Sequence, residues 1–159
     1  MLKNKKQSGF TLIELIVVVA IIGILSTIVI AFLGNARAKS KDNAVKSELN
    51  QVRTQAELYY ATGSTYEGVC DIASDSLVPK GINGMILSAG KINGYNTPVN
   101  VENQVAPRPV ACNDVANLWA AQVPLKNETG YYCVDYTRKG IVTTYSIVDY
   151  QGNPAAFCR

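Results

Sequence analysis

One carboxylate stands alone inside the longest apolar run of the chain. Glu14 is the only charged residue between positions 10 and 33, a run of 24 residues. A charged side chain at the centre of a lipid bilayer costs about 2.5–3.5 kcal/mol, and less toward the edges. Because a passive membrane anchor gains nothing from that cost, we expect Glu14 to meet a positive charge.

Four cysteines form the second group that could do chemistry, and all of them follow the apolar run. An even number of cysteines in a small exported domain indicates two disulfides and an oxidising location outside the cytoplasm. We favour Cys70–Cys112 with Cys133–Cys158, whose loops would each stabilise the fold by about 3.5–4 kcal/mol in the chain-entropy model. The pairing Cys70–Cys133 with Cys112–Cys158 stays open. A zinc site is disfavoured because no two cysteines have the usual spacing and the chain has no histidine.

Signs of catalysis are missing from the sequence. Without histidine, neither a Ser-His-Asp nor a Cys-His arrangement can form, and the chain has no glycine-rich phosphate-binding motif. We therefore predict no enzyme, no catalytic residue and no cofactor. A weak calcium candidate is Asp149 with Asn153, beside Gly152, but this segment matches no defined calcium loop. An ordinary turn is the favoured interpretation.

The elements that position these residues begin with a long helix. A helix of 24 residues rises about 36 Å, which is enough to cross the hydrocarbon core of a bilayer. Beyond position 33 good helix formers continue, and apolar residues recur at spacings of 4, 3, 4 and 3. We therefore predict an apolar helix over 10–34, continued by an amphipathic helix over 35–62 that stops at Gly63. The apolar stripe consists of Val45, Leu49, Val52, Ala56 and Tyr59.

The remaining chain, 63–159, is predicted to be an extracytoplasmic globular domain. Residues 63–109 are rich in glycine, asparagine, serine and proline, which indicates a variable connecting region. Short runs of strand-forming residues separated by turns follow, which predicts an antiparallel sheet within 110–150 and a C-terminal loop over 151–159. The predicted strands are 115–123, 131–136 and 141–150.

This combination of elements gives an α+β fold. The apolar face of the sheet needs a cover, and the stripe of the long helix is the one available. We therefore expect one long N-terminal helix packed on a small antiparallel sheet, with a C-terminal loop held by a disulfide through Cys158.

The stretch Gly9-Phe10-Thr11-Leu12-Ile13-Glu14, which follows a short basic segment, resembles the processing site of type IV prepilins. That family includes the pseudopilins of type II secretion, and the resemblance covers about residues 1–62. It implies that a prepilin peptidase and N-methyltransferase removes residues 1–9 as a leader, cutting after Gly9, and that Phe10 becomes the methylated N-terminus. It also implies a pilin-like fold, a homo-oligomeric helical filament, and an inner-membrane assembly platform with its ATPase as partners.

The positions of Phe10 and Glu14 fit this resemblance physically. Cleavage would create an α-ammonium group on Phe10, one helical turn from Glu14. In a staggered bundle, Glu14 of one subunit could meet the ammonium of its neighbour, so that assembly neutralises two charges in apolar surroundings. The alternative is a signal anchor that tolerates one acid.

The charge balance argues against binding of nucleic acid through bulk charge. The formal net charge is +3, but the predicted leader holds Lys3, Lys5 and Lys6, and its removal leaves 12 basic and 12 acidic side chains. Residues 37–42 form a charge cluster that we interpret as a solvated stretch, with lipid headgroups and DNA as alternatives. Basic residues flank the apolar run on both sides and do not orient it, so the cysteines place the body outside the membrane.

The resemblance therefore implies a structural subunit of a type IV pilus or pilus-like filament. The chain would first be a single-pass precursor in the cytoplasmic membrane and later part of a filament on the cell surface. A pseudopilin of a type II secretion or competence system is one alternative. The others are a minor or tip subunit that binds DNA or surface ligands, and a membrane-anchored protein that forms no polymer.

Overall fold

The computed structural model describes residues 9–73, 80–96, 110–147 and 157–158 of the chain. The chain divides after Arg37 into two compact units, here called the N-terminal unit (residues 1–37) and the body (residues 38–159). The described residues form two helices and four strands. In chain order these are α1 (Leu12–Gly63), α2 (Asn83–Ile92), β1 (Ala111–Val115), β2 (Leu118–Pro124), β3 (Tyr131–Asp135) and β4 (Gly140–Thr143).

Helix α1 runs without interruption through the apolar segment and the amphipathic segment that follows it. Its last residue is Gly63, and the next residue, Ser64, takes a left-handed backbone with φ of 53°. The N–H of Ser64 donates to the carbonyl of Tyr60 at 2.7 Å, which satisfies one of the last carbonyl groups of the helix. In the N-terminal unit, the large apolar side chains of α1 are between 39 % and 75 % exposed. This part of the helix is long and apolar enough to cross a membrane.

The four strands form one antiparallel sheet in the order β1-β2-β3-β4, so each strand pairs with its neighbour in sequence. The sequence predicts three strands, and the first of them, 115–123, was wrong. The span 115–123 contains the two-residue turn between β1 and β2, which brings Val115 opposite Leu118. The third predicted strand, 141–150, was too long, because β4 ends at Thr143. Residues 148–150 of that prediction lie outside the described residues.

A buried side chain of β2 explains why the chain leaves the sheet after β4. Gln122 is fully buried, and its Nε2 donates a hydrogen bond to Ser146 Oγ at 2.8 Å. Its Oε1 accepts a hydrogen bond from the N–H of Ile147, also at 2.8 Å. The backbone N–H of Ile147 therefore bonds to a side chain and not to a neighbouring strand. The alternation of apolar and polar residues in the sequence does not predict such a bond.

The main core of the body lies between one face of the sheet and the two helices. Four of the five residues in the predicted α1 stripe are fully buried, and Tyr59 packs against the margin of the cluster. Helix α2 adds Ile86 and Ala89, so α1 and α2 share the cover that we expected from α1 alone. The sheet contributes Cys112, Trp119, Ala121, Val123, Tyr132 and Val134.

A smaller cluster lies on the other face of the sheet, since alternate strand residues point to opposite faces. It contains Ala111, Ala120, Cys133, Ile147 and Cys158. A disulfide joins Cys133 to Cys158 and ties the C-terminal part of the chain to β3. The N–H of Cys158 also donates to a carboxylate of β3, Oδ2 of Asp135, at 2.9 Å.

A second disulfide joins Cys70 to Cys112. It links the segment between the two helices to β1. Beside it, Asp114 accepts hydrogen bonds from the N–H of Gly68 at 2.6 Å and of Cys70 at 3.3 Å. Covalent and polar contacts therefore fix this segment against the edge of the sheet.

Candidate processing and assembly site

The residues that resemble a prepilin processing site lie just before α1, and they are accessible. Phe10 is 78 % exposed, and Gly9 is also exposed, with open space where a side chain would begin. The fold itself therefore places no demand for glycine at position 9. A requirement for glycine would come from an enzyme that must reach this peptide bond.

Glu14 is held by the start of its own helix. Its Oε2 accepts hydrogen bonds from the backbone N–H of Thr11 at 2.8 Å and from the Thr11 hydroxyl at 2.7 Å. The same hydroxyl accepts a hydrogen bond from the N–H of Glu14 at 3.4 Å. Thr11 stands immediately before the first helical residue and Glu14 is the third helical residue, so the two form a capping box.

The capping box is a feature that the predictions from sequence do not include, although its signal is present there. A threonine followed three residues later by glutamate, before an apolar run, is the sequence signature of this motif, and Thr11 and Glu14 have that spacing. The predicted partner of Glu14 is Phe10 instead, in a contact formed after cleavage. In the uncut chain the nitrogen of Phe10 is a peptide amide, and the structure brings Glu14 to Thr11.

Two further polar side chains of the apolar segment also bond within α1. The hydroxyl of Ser26 donates to the carbonyl of Ile22 at 2.7 Å, and that of Thr27 donates to the carbonyl of Ile24 at 2.8 Å. Both hydroxyl groups therefore have hydrogen-bond partners that an apolar environment would not remove. The segment can lie in lipid or among other apolar helices without leaving these groups unpaired.

Asp42, on α1 in the body, is a second carboxylate with a defined role, and no motif in the sequence distinguishes it from other acids. Its side chain is 1 % exposed. Oδ1 accepts from the N–H of Lys126 at 2.8 Å, and Oδ2 accepts from the N–H groups of Asn127 at 2.7 Å and Glu128 at 3.3 Å. The side-chain amide of Asn93, just after α2, donates to Oδ1 at 3.0 Å.

We call this arrangement the Asp42 clasp, made of Asp42, Asn93 and residues 126–128. Burial alone would raise the pKa of Asp42, but the three backbone N–H groups and the Asn93 amide outweigh it and hold the pKa below its ordinary value. The charged carboxylate therefore joins α1, the end of α2 and the β2–β3 loop at one point. A salt bridge between Lys46 Nζ and Glu128 Oε1, at 2.5 Å, lies beside it.

The calcium candidates Asp149 and Asn153 lie outside the described residues. Within the part of the chain that the structure describes, no three cysteine, aspartate or glutamate side chains gather as metal ligands would.

Comparison with known proteins gives a match at the N-terminus. The family model described as the prokaryotic N-terminal methylation motif matches residues 4–30. A type IV major fimbrial protein, FimA of Dichelobacter nodosus, is 55 % identical over 51 residues, which are 32 % of this chain and 33 % of FimA. The type IV major pilin PilA of Myxococcus xanthus is 40 % identical over 63 residues, covering 40 % of this chain and 29 % of PilA.

A third relative extends the range of organisms. The type IV wide pilus major component PilA4 of Thermus thermophilus is 40 % identical over 62 residues, which are 39 % of this chain and 47 % of PilA4. The chain thus spans between 29 % and 47 % of the length of these three relatives. No solved structure matches the chain.

The residues matched by the family model include the Gly9–Phe10 bond, the capping box and most of the apolar part of α1. The fold behind that segment is a long helix on a small antiparallel sheet, with a disulfide at the C-terminal end. The chain therefore carries the N-terminal methylation motif and is similar in its N-terminal part to type IV pilins, and its fold is the one expected from that resemblance.

Proposed function

We propose that this chain is the structural subunit of a type IV pilus, made as a membrane-held precursor and polymerised through the apolar part of α1. The observation that carries the proposal is the methylation motif over residues 4–30, which covers a helix whose large apolar side chains are exposed in the single chain. A contiguous apolar surface of that size needs lipid or other helices around it.

Processing is the first step of the proposed function. A prepilin peptidase hydrolyses the bond between Gly9 and Phe10, removes residues 1–9 and leaves an α-ammonium on Phe10, which is then methylated. The exposure of both residues supports this step, because the enzyme must reach the bond. The enzyme and its methyltransferase activity are partners by proposal.

Assembly is association without catalysis. Lipid tails are as apolar as neighbouring helices, so burial of residues 10–33 contributes little, and close packing with polar contacts must drive the step. The carboxylate of Glu14 lies beside the start of the helix, where Thr11 holds it. The new ammonium of a neighbouring Phe10 can replace or join Thr11 as its partner, which neutralises both charges. An inner-membrane platform and its ATPase would supply the work of extraction.

The location and role follow from the same features. Two disulfides, Cys70–Cys112 and Cys133–Cys158, favour a body that folds in an oxidising compartment outside the cytoplasm. The names of the relatives FimA, PilA and PilA4 describe major components of pili, which favours a pilus over a pseudopilus.

Intact mass and N-terminal sequencing of protein sheared from cell surfaces test the proposal. We expect a chain that begins at N-methylated Phe10 and is four hydrogens lighter than its fully reduced form. A chain that keeps Met1, or that is found in membranes and never in the sheared fraction, would contradict the filament and favour a membrane-anchored protein.

A further inference from the structure

We propose that the body carries a lipid-binding surface at the end where α1 enters it, where four lysines meet the anionic headgroups of the membrane that holds the precursor. This inference rests on the proposed membrane-held precursor and adds a contact that the proposed function does not include. The surface, here called the cationic base, consists of Lys39, Lys41, Lys91 and Lys126.

The cationic base is assembled from three distant parts of the chain. Lys41 precedes Asp42 on α1, and the backbone N–H of Lys126 donates to the Asp42 carboxylate at 2.8 Å. Lys91 lies in the last turn of α2, two residues before Asn93, whose side chain also bonds to Asp42. The Asp42 clasp therefore gathers these lysines around one point, which their positions in the sequence do not suggest.

The ammonium group of Lys126 lies near Gly94, two residues after the end of α2. A Cβ atom added at Gly94 would lie 3.8 Å from Lys126 Nζ. The C-terminal end of a helix attracts cations through the negative end of its dipole, so this position suits the ammonium. Lys91 and Lys126 thus extend the basic surface begun by Lys39 and Lys41.

Among the described residues of the body, no acid neutralises the positive charge of the base. All four lysines are exposed, and among the described residues none of them has an ion-pair partner. Two acids of the described body that belong to or adjoin the clasp are engaged: Asp42 accepts four hydrogen bonds and is buried, and Glu128 is paired with Lys46. The zero net charge expected for the processed chain therefore hides a local excess of cations.

The anionic surface nearest to this base is a membrane. Lys39 follows the last residue of the apolar run, Leu33, by six positions, which can span at most about 22 Å of chain. A bilayer that holds residues 10–33 therefore presents headgroups next to Lys39 and Lys41, and the Asp42 clasp brings Lys91 and Lys126 to the same part of α1. Each lysine within a screening length of an anionic bilayer surface, whichever leaflet carries the charge, strengthens the contact about fivefold. A DNA-binding protein that makes about 6–10 phosphate contacts uses more cations than the four lysines of this base.

The test uses the full-length precursor in lipid nanodiscs. One set contains phosphatidylcholine, and in the other about one third of the lipid is phosphatidylglycerol. An amine-reactive reagent with mass-spectrometric readout reports the labelling rate of each lysine. We expect Lys91 and Lys126 to be labelled several-fold more slowly in anionic nanodiscs. About 0.5 M salt, which shortens the screening length to about 4 Å, should remove the difference.

Paired variants test the contact a second way. Trp119 is the chain's single tryptophan and is buried in the body, so energy transfer from it to a dansyl-labelled lipid reports how near the body lies to the membrane. The double variant Lys91→Gln/Lys126→Gln should lower the transfer in anionic nanodiscs to the level in phosphatidylcholine. The control Lys80→Gln/Lys139→Gln removes the same charge from exposed positions outside the base and should leave the transfer unchanged.

Three outcomes would overturn the inference. Suppose that the labelling rates are equal in both lipids and that an alkaline wash leaves the chain in the membrane. This result would contradict the lipid contact and leave the membrane-held precursor intact. Protection of Lys91 and Lys126 that arises only in assembled filaments, or only with duplex DNA, would assign the base to a second copy of the chain or to nucleic acid. A chain that the wash removes would overturn both this contact and the proposed membrane-held precursor.

Discussion

Two carboxylates on α1 have opposite surroundings and therefore different roles. Glu14 is exposed at the start of the helix and bonds to Thr11 alone among the described residues. Asp42 is buried and accepts four hydrogen bonds from other parts of the body. A carboxylate with one local partner can exchange it in the proposed assembly. One with four partners is a fixed point of the fold.

The role of Glu14 can be divided into capping and charge by two substitutions. Glu14→Gln keeps an oxygen for the capping box but removes the charge, whereas Thr11→Val keeps the charge but removes the cap. We expect Glu14→Gln and Glu14→Ala to be membrane-inserted and poorly assembled, because the ammonium of the neighbouring Phe10 would lack its counter-charge. Thr11→Val should assemble better than either. The measurement is the ratio of sheared filament to membrane-held subunit.

Wild-type filament yield for Glu14→Gln would contradict the charge role. If Thr11→Val lost assembly as fully as Glu14→Ala, the capping box would be the part that matters.

The Asp42 clasp predicts a stability effect with a defined pH dependence. Asp42→Asn keeps the shape of the side chain but leaves a buried N–H without its acceptor, so the free energy of unfolding should fall by about 1–3 kcal/mol at pH 7. The pKa of Asp42 is lowered in the folded state, so its contribution is complete above the ordinary carboxyl pKa of about 3.9. It is lost as the pH falls through the lower folded-state pKa.

Denaturant unfolding of detergent-solubilised wild type and variant between pH 7 and pH 2 measures this difference. The difference in free energy of unfolding between wild type and variant should be constant above about pH 5 and should decrease below about pH 4. Glu67→Gln, which removes an exposed carboxylate outside the clasp, serves as control and should change stability little. If this difference in free energy increased in acid, the folded state would raise the pKa of Asp42 instead of lowering it.

At the scale of elements, the turn between β2 and β3 depends on one glycine. Gly130 has φ of 112°, and a Cβ atom there would clash with the backbone carbonyl of Thr143 at the end of β4. Its carbonyl also accepts the N–H of Leu125 at 3.0 Å, which closes the turn. Any side chain at this position would push β4 away from β3, because the neighbouring atom is backbone and cannot rotate aside.

Alanine substitution at Gly130 and at Gly94 separates the effect of an unfavourable backbone angle from the effect of a steric clash. Gly130→Ala should lower the free energy of unfolding by about 3 kcal/mol or more, since an unfavourable backbone angle and a backbone clash add. Gly94→Ala has a similar angle, φ of 85°, but its nearest neighbour is the flexible end of Lys126, so its loss should be about 1–2 kcal/mol. Equal losses in thermal or denaturant unfolding would contradict the clash.

At the scale of the whole molecule, two disulfides hold segments that the sheet alone does not. Cys70–Cys112 closes a loop of 42 residues and fixes the segment after α1 to β1. Cys133–Cys158 closes one of 25 residues and holds the C-terminal part of the chain to β3. The body has a modest core, so the covalent links supply an appreciable part of its stability.

Removal of each disulfide should therefore lower stability separately. Replacing both cysteines by serine should cost about 3.5 kcal/mol for Cys133–Cys158 and about 4 kcal/mol for Cys70–Cys112 in the chain-entropy model. Denaturant unfolding under oxidising conditions measures both losses. Hydrogen exchange at Ile147 should also speed up in the Cys133→Ser/Cys158→Ser variant, because Ile147 packs in one cluster with both cysteines and would lose part of that packing while keeping its hydrogen bond to Gln122. Unchanged exchange at Ile147 would mean that the polar contacts suffice.

The sequence by itself determined the features whose causes are local. The apolar run, the capping-box spacing of Thr11 and Glu14, and the processing motif involve residues within a few positions of one another. The stripe of Val45, Leu49 and Val52 was predictable because a helix repeats every 3.6 residues. A sheet and an even number of cysteines also follow from composition and pattern, but the number of strands does not.

Tertiary structure alone decided the contacts between residues far apart in sequence. Asp42 meets partners that are 51 to 86 residues away, and the cationic base exists because those contacts bring Lys91 and Lys126 to α1. The packing of α2 in the core likewise depends on side chains of the sheet. The path of the chain after Thr143 depends on Gln122 of β2, which bonds to Ser146 and Ile147. Local periodicity carries no information about such partners, because they become neighbours only when the chain is folded.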